Sequence, residues 1–201
     1  MRDISEPVRK FFTMLCSYRS LTEEFHAFLL ERMDARYFAH REILFDYQQV
    51  VSDAVFVSSG YLLVYGFNAT GDRQLLAIYP AGSIYISKSF IHQLPSDLEK
   101  VVSKDSYMLS LSYQDLSIAF ARFAETDSLV RLIIADYAHR QQQRMLLLKE
   151  SAEQVIQDFY KAYPEFLRNG LLVDADIASY LLIGDQTLRN VRMRLIREGK
   201  L

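Results

Sequence analysis

The side chains with the clearest chemical potential lie near the C-terminal end of the sequence. From Asp185 onward the chain carries five basic and two acidic residues, a local charge of +3. Arginine bonds phosphate, and glutamine, asparagine and arginine can bond base edges in the major groove of duplex DNA. The candidates for base contacts are Gln186, Arg189 and Asn190. The candidates for phosphate contacts, or for plain solvated charges, are Arg192, Arg194 and Arg197.

Two short helices separated by a turn would position these side chains. Leu188, Val191 and Leu195 recur at i, i+3 and i+7, which places the polar residues on the opposite helical face. A preceding helix begins at Asp174, and the turn between the two helices falls at 183–185. This pattern is typical of a helix-turn-helix. It fits equally an ordinary amphipathic helix with a solvated charged face, and periodicity alone does not separate the two.

The middle of the chain has the composition of β-strands. It is rich in Val, Tyr, Phe and Leu, and 68–72 with its Gly71 has the character of a hairpin loop. Many short strands at regular spacing indicate an antiparallel sandwich or roll. Helical periodicity precedes this segment over 5–33 and follows it from Asp115, which makes the fold class α+β. The strands are predicted at 37–38, 42–47, 54–59, 61–67, 73–79, 83–86 and 107–112.

A long helix is predicted over 127–150, because that stretch runs without Gly or Pro. A further helix over 151–163 is ended by Pro164, and 169–170 forms a turn. An apolar stripe on the long helix would pair across a twofold axis in a homodimer, or would pack on the chain's own strands. Its members are Leu129, Leu132, Ile133 and Tyr137.

Composition excludes several classes of protein. The 201 residues are 50% hydrophobic, enough for a packed core, and the net charge of −2 restricts nucleic-acid binding to a local patch. The single cysteine, Cys16, excludes a disulfide framework and cysteine-rich metal sites within one chain. Scattered histidines and no catalytic motif predict a protein that is not an enzyme and holds no metal or cofactor. No apolar run approaches about 18 residues and no secretory pattern is present, so we expect a cytoplasmic protein without membrane contact.

The C-terminal segment resembles the helix-turn-helix of Crp/Fnr-type regulators, especially their short-tailed bacterial branch. The residues that carry this resemblance are 177–181, 187–188 and 191–192. The middle of the chain is similar to that family's cyclic-nucleotide-binding-type β-roll, in order and in spacing. The matching segments are 43–45, 55–60, 64–65, Gly71 and 78–82. A β-roll, a long helix and a helix-turn-helix follow one another in this order over nearly the whole chain. This combination is more specific to the family than any single motif.

The resemblance implies a dimeric transcription regulator with three parts. These are a jelly-roll-like antiparallel β-roll sensor domain (1–125), a long dimerisation helix (126–150) and a small all-α helix-turn-helix domain (151–201). Two recognition helices about one DNA turn (~34 Å) apart would bind double-stranded DNA. A small-molecule effector in the roll would change the angle between the two long helices, and so the spacing of the recognition helices.

The roll departs from family members that bind a cyclic nucleotide. Their Gly-Glu pair and their later Arg-Ser/Thr pair, which hold the ribose and the cyclic phosphate, are absent from 82–101. Lys88 or Lys100 would neutralise a phosphate but lacks arginine's two-pronged donor, and such a lysine is more often a solvated surface charge. We therefore expect the roll not to bind cyclic AMP in the usual way, and to bind another effector or none. The candidate pocket residues are Tyr65, Ser83, Tyr85, Lys88 and Lys100.

The helix-turn-helix departs from the family pattern as well. Leu182 stands where a glycine is common, and Asn190 where the family usually presents an arginine to a guanine. Asparagine can bridge adenine, so either the sequence preference differs or specific DNA binding is weakened. The alternative interpretation is a degenerate cyclic-nucleotide-binding-like protein that acts through protein–protein contacts, with a helical tail that only packs.

Overall fold

The computed structural model describes residues 4–168 and 170–201. Within them the strands are β1 (Asp34–Phe38), β2 (Glu42–Phe45), β3 (Asp53–Ser59), β4 (Tyr61–Phe67), β5 (Arg73–Pro80), β6 (Ile84–Tyr85), β7 (Glu99–Val102) and β8 (Ser106–Ser112). The helices are α1 (Ser5–Tyr18), α2 (Glu23–Arg32), α3 (Lys88–His92), α4 (Tyr113–Arg122), α5 (Glu125–Leu147), α6 (Ala152–Ala162), α7 (Pro164–Arg168), α8 (Asp174–Leu181) and α9 (Asp185–Arg197). The predicted turn at 169–170 falls partly on Asn169, which lies outside the described residues.

Two four-stranded antiparallel sheets form the β-rich part of the molecule. Their strand orders are β1-β8-β3-β6 and β2-β7-β4-β5. β8 lies between β1 and β3, so that Leu109 is opposite Ala35 on one side and Phe56 on the other. Most neighbours in these sheets are distant in sequence, which is the connectivity of a jelly-roll-like β-roll. The predicted α+β fold class is confirmed.

The chain divides into two compact units. The first comprises the residues up to Val64 together with Ile78–Tyr137. The second comprises Tyr65–Ala77 together with Ala138–Leu201. The three-part division at residues 125 and 150 stays a prediction.

The core of the first unit contains the apolar faces of α1 and α2 and of the sheet that includes β3 and β8. Phe25 and Leu29 of α2 are buried there with Phe56 of β3. α2 begins at Glu23, because the Thr22 hydroxyl caps the helix by accepting a hydrogen bond (3.2 Å) from the backbone N–H of Phe25. The helical stretch predicted over 5–33 is therefore two helices.

The apolar stripe of α5 divides between the interior and the surface. Leu129 and Ile133 are 3% and 8% exposed and pack in the core of the first unit. Leu132 and Tyr137 are 42% and 37% exposed. The Tyr137 ring also stacks on Tyr79 of β5, with the ring centroids 5.5 Å apart. The dimerisation role of these four stripe residues stays a prediction, and exposure favours Leu132 and Tyr137 for it.

β7 is the strand that the sequence analysis missed. Its four residues are all buried, and the strand pairs with β2. Two charged residues, Glu99 and Lys100, open the strand and hide the apolar pattern on which strand prediction depends. Lys100 therefore lies in a strand inside the roll, in a segment for which the sequence analysis predicts no element.

The second unit is built on the helices α6 to α9. α9 packs against α6 and α8. The buried residues include Phe159 and Tyr160 of α6, Ile177 of α8, and Leu188 and Leu195 of α9. The spacing that predicted an inward face for α9 is confirmed at both leucines.

The end of the β4–β5 hairpin is bonded to α8 within this second unit. The Tyr65 hydroxyl donates to Asp176 Oδ2 (2.9 Å), and the backbone N–H of Leu75 donates to the Ser179 hydroxyl (2.9 Å). The Arg73 guanidinium lies over the Tyr65 ring, 3.7 Å from its centroid. α8 is thus held from the hairpin as well as from α9.

Candidate nucleic-acid interface

A tight turn joins α8 to α9. Leu182 ends α8 in the left-handed conformation, with φ at 54°, and the backbone N–H of Ile183 donates to the Ala178 carbonyl (3.0 Å). Leu188 and Leu195 are 0% exposed. Because those leucines anchor one face of α9 against α6 and α8, the opposite face points to solvent. The two helices and their turn have the arrangement that the sequence predicts for a helix-turn-helix.

The outward face of α9 is a line of four side chains. They recur at i, i+4, i+7 and i+11, a spacing that keeps them on the side of the helix opposite Leu188. The four are Gln186, Asn190, Met193 and Arg197, and all are exposed. Two of the three predicted base contacts, Gln186 and Asn190, are therefore neighbours on one line.

Arg189 and Arg194 flank that line and are paired with acidic residues of neighbouring helices. Arg189 Nε donates to Asp174 Oδ2 (3.2 Å), and the Arg194 guanidinium bonds Glu153 of α6. Lys200 Nζ donates to the same Glu153 (3.2 Å). Ion pairs as exposed as these contribute little to stability, so a DNA phosphate can replace the carboxylate at small cost.

Arg192 is bonded within the helix-turn-helix unit. Its guanidinium donates to both oxygens of Asp174 (2.6 and 2.9 Å) and to the Tyr160 hydroxyl (3.0 Å). The hydrogen bond from Arg192 is the main cause that lowers the pKa of Asp174, and the same bond raises the pKa of Arg192. Only 21% of the Arg192 side chain is exposed, so a phosphate contact would first require this pair to open.

Arg197 differs from the other arginines of α9. Among the residues that the structure describes, it has no hydrogen-bond or ion-pair partner. It lies in the last turn of α9, where the helix dipole favours a cation. Sequence analysis missed the two acidic partners, Asp174 and Glu153, because periodicity within one helix does not show which distant acid will lie beside it. The predicted DNA contacts stay predictions.

The predicted effector-pocket residues differ in exposure. Ser83 and Tyr85 are 7% and 4% exposed, and the Tyr85 ring meets Tyr79 edge-on with centroids 5.2 Å apart. Burial raises the pKa of Tyr85 above its ordinary value. Lys88 is exposed at the start of α3. Tyr65 belongs to the second unit, where it is bonded to α8.

Lys100 is fully buried, which corrects the expectation of a solvated surface charge. Its ammonium group donates to the Leu98 carbonyl (2.6 Å) and to the Ser96 hydroxyl, and no carboxylate among the described residues forms an ion pair with it. Burial is the main cause that lowers the pKa of Lys100 to about 8, and the charge of Asp97 opposes that shift. A buried cation without an ion-pair partner lowers the stability of the fold.

Replacing Lys100 with methionine is expected to raise the free energy of unfolding near pH 7 by about 1–2 kcal/mol, because it removes the buried charge at similar volume. Ser96 Oγ also donates to the Leu98 carbonyl (3.1 Å), so both oxygens keep a partner. Urea unfolding measures the change. Lys88→Met, on the surface, is the matched control and should shift stability by less than about 0.5 kcal/mol.

The pH dependence of the same variant provides a second test. The pKa of Lys100 is about 8 in the folded chain and 10.5 in its ordinary state. Between these values the unfolded chain binds more protons, so wild-type stability should rise as the pH increases from about 8 to 10.5. The Lys100→Met variant should lack this rise. A variant less stable than wild type near pH 7 would contradict the interpretation.

Leu182→Gly is expected to stabilise the protein by about 0.5–1 kcal/mol, because glycine adopts a positive φ without the steric cost that leucine has there. The leucine side chain is 72% exposed, so little packing is lost. Thermal unfolding measures the gain. Leu94→Gly is the control, because this leucine is also largely exposed (59%) but does not have a positive φ. That control should not stabilise, and a Leu182→Gly protein that melts earlier than wild type would oppose the argument.

Several solved structures share this fold. FixK2 from Bradyrhizobium japonicum matches with a TM-score of 0.68 and 17% identity, over 83% of this chain and 86% of that one. A protein of Eubacterium rectale assigned to the Crp/Fnr family of transcriptional regulators matches with a TM-score of 0.68 and 12% identity, over 90% and 87%. The catabolite activator protein of Thermus thermophilus matches with a TM-score of 0.56 and 18% identity, over 92% and 88%. No protein-family model and no curated protein matches the sequence.

The fold is therefore the cyclic-nucleotide-binding-like β-roll with a helix-turn-helix that structures of Crp/Fnr-type regulators have. The resemblance seen in the sequence is confirmed at the level of the fold. Across 4–168 and 170–201, no helix is both long and apolar enough to cross a bilayer. Within the same ranges, no three His, Cys, Asp or Glu side chains come together as metal ligands would.

Proposed function

We propose that this chain is a transcription regulator of the Crp/Fnr type that binds duplex DNA as a homodimer. The observation that carries the proposal is the outward face of α9, where Gln186, Asn190 and Arg197 are exposed while buried leucines anchor the helix behind them. A helix supported in this way can enter the major groove. The Eubacterium rectale structure with this fold is described as a transcriptional regulator of the Crp/Fnr family, which supports the same assignment.

Salt-sensitive affinity would come from the arginines of α9. Arg197 is available for a phosphate as it stands, and Arg189 and Arg194 become available when DNA replaces their exposed carboxylate partners. Arg192 keeps its bond to Asp174 and fixes the position of α9 on α8. Polar side chains at the N-terminal end of α9 would then contact the base edges.

The binding experiment is fluorescence anisotropy with a labelled random-sequence duplex at several salt concentrations. We expect log Kd to rise linearly with log salt concentration, and Arg197→Ala to reduce that slope by about 1 for each phosphate contact removed. Arg9→Ala is the matched control, because this exposed arginine of α1 lies outside both α5 and α9. Absence of salt-sensitive binding by the wild-type protein would support the alternative, a protein that acts through protein–protein contacts.

The proposed homodimer forms along the predicted apolar stripe of α5. Leu132 and Tyr137, 42% and 37% exposed, border the buried Leu129 and Ile133 on that stripe, and an apolar helical stripe of this kind can pair with its copy across a twofold axis. Two recognition helices on one dimer would then bind two half-sites about one turn of DNA apart.

Leu132→Glu is expected to weaken dimerisation by tenfold or more, on the order of 1.4 kcal/mol, because two buried carboxylates would face each other across the axis. Analytical ultracentrifugation measures the dissociation constant. Ile118→Glu on α4 is the control, since Ile118 is also 42% exposed and lies outside the proposed contact. Equal dimerisation by both variants would place the interface elsewhere.

The β-roll is proposed as the sensor domain. It binds an effector other than cyclic AMP, or it binds no effector. Lys100 is engaged by Ser96 and Leu98 and is fully buried, so it does not supply an exposed cation for a cyclic phosphate. Thermal-shift measurements with cyclic AMP at micromolar concentration should show no change in Tm. A shift of several degrees would contradict this part of the proposal.

A further inference from the structure

The arginines of α9 are proposed as phosphate contacts rather than as guanine contacts. Recognition of guanine uses both donors of an arginine fork on O6 and N7 of the base. The guanidinium groups of Arg192 and Arg194 bond Asp174 and Glu153, and Arg189 Nε also bonds Asp174. Arg197 lies in the last turn of α9, whereas recognition helices contact bases through their N-terminal residues.

The N-terminal half of the outward line instead presents two carboxamides that are bonded to each other. Gln186 Nε2 donates to Asn190 Oδ1 (2.8 Å), one helical turn away. This bond fixes the plane of the Asn190 amide and leaves both of its N–H donors and the second lone pair of Oδ1 available. An asparagine amide in this state can donate to adenine N7 and accept from adenine N6 together.

The next residue on the line is apolar. Met193 is 48% exposed and follows Asn190 by three positions, so it projects from the same face of α9. An apolar side chain in the major groove is compatible with the methyl group of thymine, whereas it leaves the polar edges of a G·C pair without a partner. Asn190 and Met193, the next two side chains after Gln186 on this face, therefore both favour A·T pairs.

We infer that α9 recognises a half-site bearing an A·T pair, with Asn190 as the residue that contacts adenine and Gln186 as the residue that positions it. The inference rests on the proposed DNA-binding function and specifies its ligand. The preference for adenine at the base pair that Asn190 contacts comes from the bonded Gln186–Asn190 pair. The affinity for phosphate comes from the arginines of α9.

The experiment begins with the full-length wild-type protein and a random duplex library, from which bound duplexes are selected and sequenced. The same selection is run with Asn190→Arg, and the base pair whose preference changes between the two is the one that residue 190 contacts. We expect A·T at that pair for the wild type and G·C for the arginine variant. Changing A·T to G·C in a selected duplex should weaken wild-type binding on the order of tenfold or more.

Two further variants separate contact from positioning. Asn190→Ala should lose the discrimination between A·T and G·C while keeping the salt slope, because phosphate contacts are unchanged. Gln186→Ala should reduce that discrimination severalfold without changing Tm. If this exposed glutamine had a merely structural role, its replacement would leave the discrimination between A·T and G·C unchanged. Gln154→Ala is the matched control, because this exposed glutamine of α6 also bonds the residue four positions on, Asp158, and lies outside α9; it should preserve the discrimination.

The outcomes distinguish this inference from the function on which it rests. If the wild type shows no salt-sensitive binding to any duplex, the proposed function fails. If binding is salt-sensitive but the selected pair is G·C, or if no pair responds to Asn190→Arg, the function stands and the assignment of Asn190 to adenine is overturned.

Discussion

Replacing Asp174 with alanine is expected to lower the free energy of unfolding by about 2–3 kcal/mol. The carboxylate accepts two parallel hydrogen bonds from Arg192 and a third from Arg189, so its loss removes charge-assisted bonds that join α8 to α9. Arg192 would remain partly buried with only the Tyr160 hydroxyl as its partner. Urea unfolding followed by circular dichroism measures the effect.

The dependence of this effect on pH follows from the pKa of Asp174. Hydrogen bonding by Arg192 lowers that pKa below its ordinary value of 3.8 in the folded protein. The carboxylate therefore contributes its full stabilisation above that value, and the contribution is lost as the pH falls toward the lower folded-state pKa. The difference between wild type and Asp174→Ala should accordingly shrink on acidification below about pH 4.

Asp158→Ala is the matched control for Asp174→Ala. Asp158 lies on α6, where it pairs with Lys161 (3.4 Å) and accepts a hydrogen bond from Gln154 Nε2 (2.8 Å), so both of its partners belong to its own helix. Its replacement should cost less than about 0.5 kcal/mol. Similar costs for the two substitutions would mean that the Asp174–Arg192 pair contributes no more than a surface ion pair.

Gly60→Ala should be the most destabilising single change considered, at about 3–4 kcal/mol. Gly60 lies between β3 and β4 with φ at 78°, and a Cβ there would be 2.0 Å from Ser106 Oγ and 2.9 Å from Ser106 Cα. Ser106 is fully buried in β8, so neither backbone can move aside without disturbing the sheet. Thermal unfolding and soluble expression both report the loss.

Gly82→Ala separates the steric overlap from the backbone conformation. Gly82 also has a positive φ (85°), but nothing lies within 4 Å of an added Cβ. Its replacement should cost only about 1–2 kcal/mol, the cost of a left-handed non-glycine residue. In Gly60→Ala, a second change of Ser106→Gly should restore part of the lost stability. Equal costs at Gly60 and Gly82 would exclude the overlap with Ser106 as the cause.

Much of the fold could be predicted because its signals are local. The inward leucines of α9 recur at helical spacing, Thr22 begins α2 as a capping residue, and the strands from β3 to β5 have continuous apolar runs. The sequence also predicted an outward polar face for α9, since periodicity defines both faces of a helix at once. Of its predicted members Gln186, Arg189, Asn190, Arg192 and Arg194, all are exposed except Arg192, which is bonded to Asp174.

Other features depended on residues brought together from distant positions. β7 was missed because its two charged residues break the apolar pattern, although the strand becomes buried once β2 and β4 lie beside it. The same burial turns Lys100 from an expected surface charge into an interior cation with a lowered pKa.

By itself, then, the sequence determined most of the elements and the outward positions of Gln186 and Asn190 on α9, because short-range spacing encodes them. Only the tertiary structure decided which arginines are engaged: Arg192 by Asp174, and Arg194 by Glu153. It likewise decided that Leu129 and Ile133 are buried while Leu132 stays exposed. The physical reason is that hydrogen-bond partners and burial are set by the packing of separate elements, which no spacing within one element specifies.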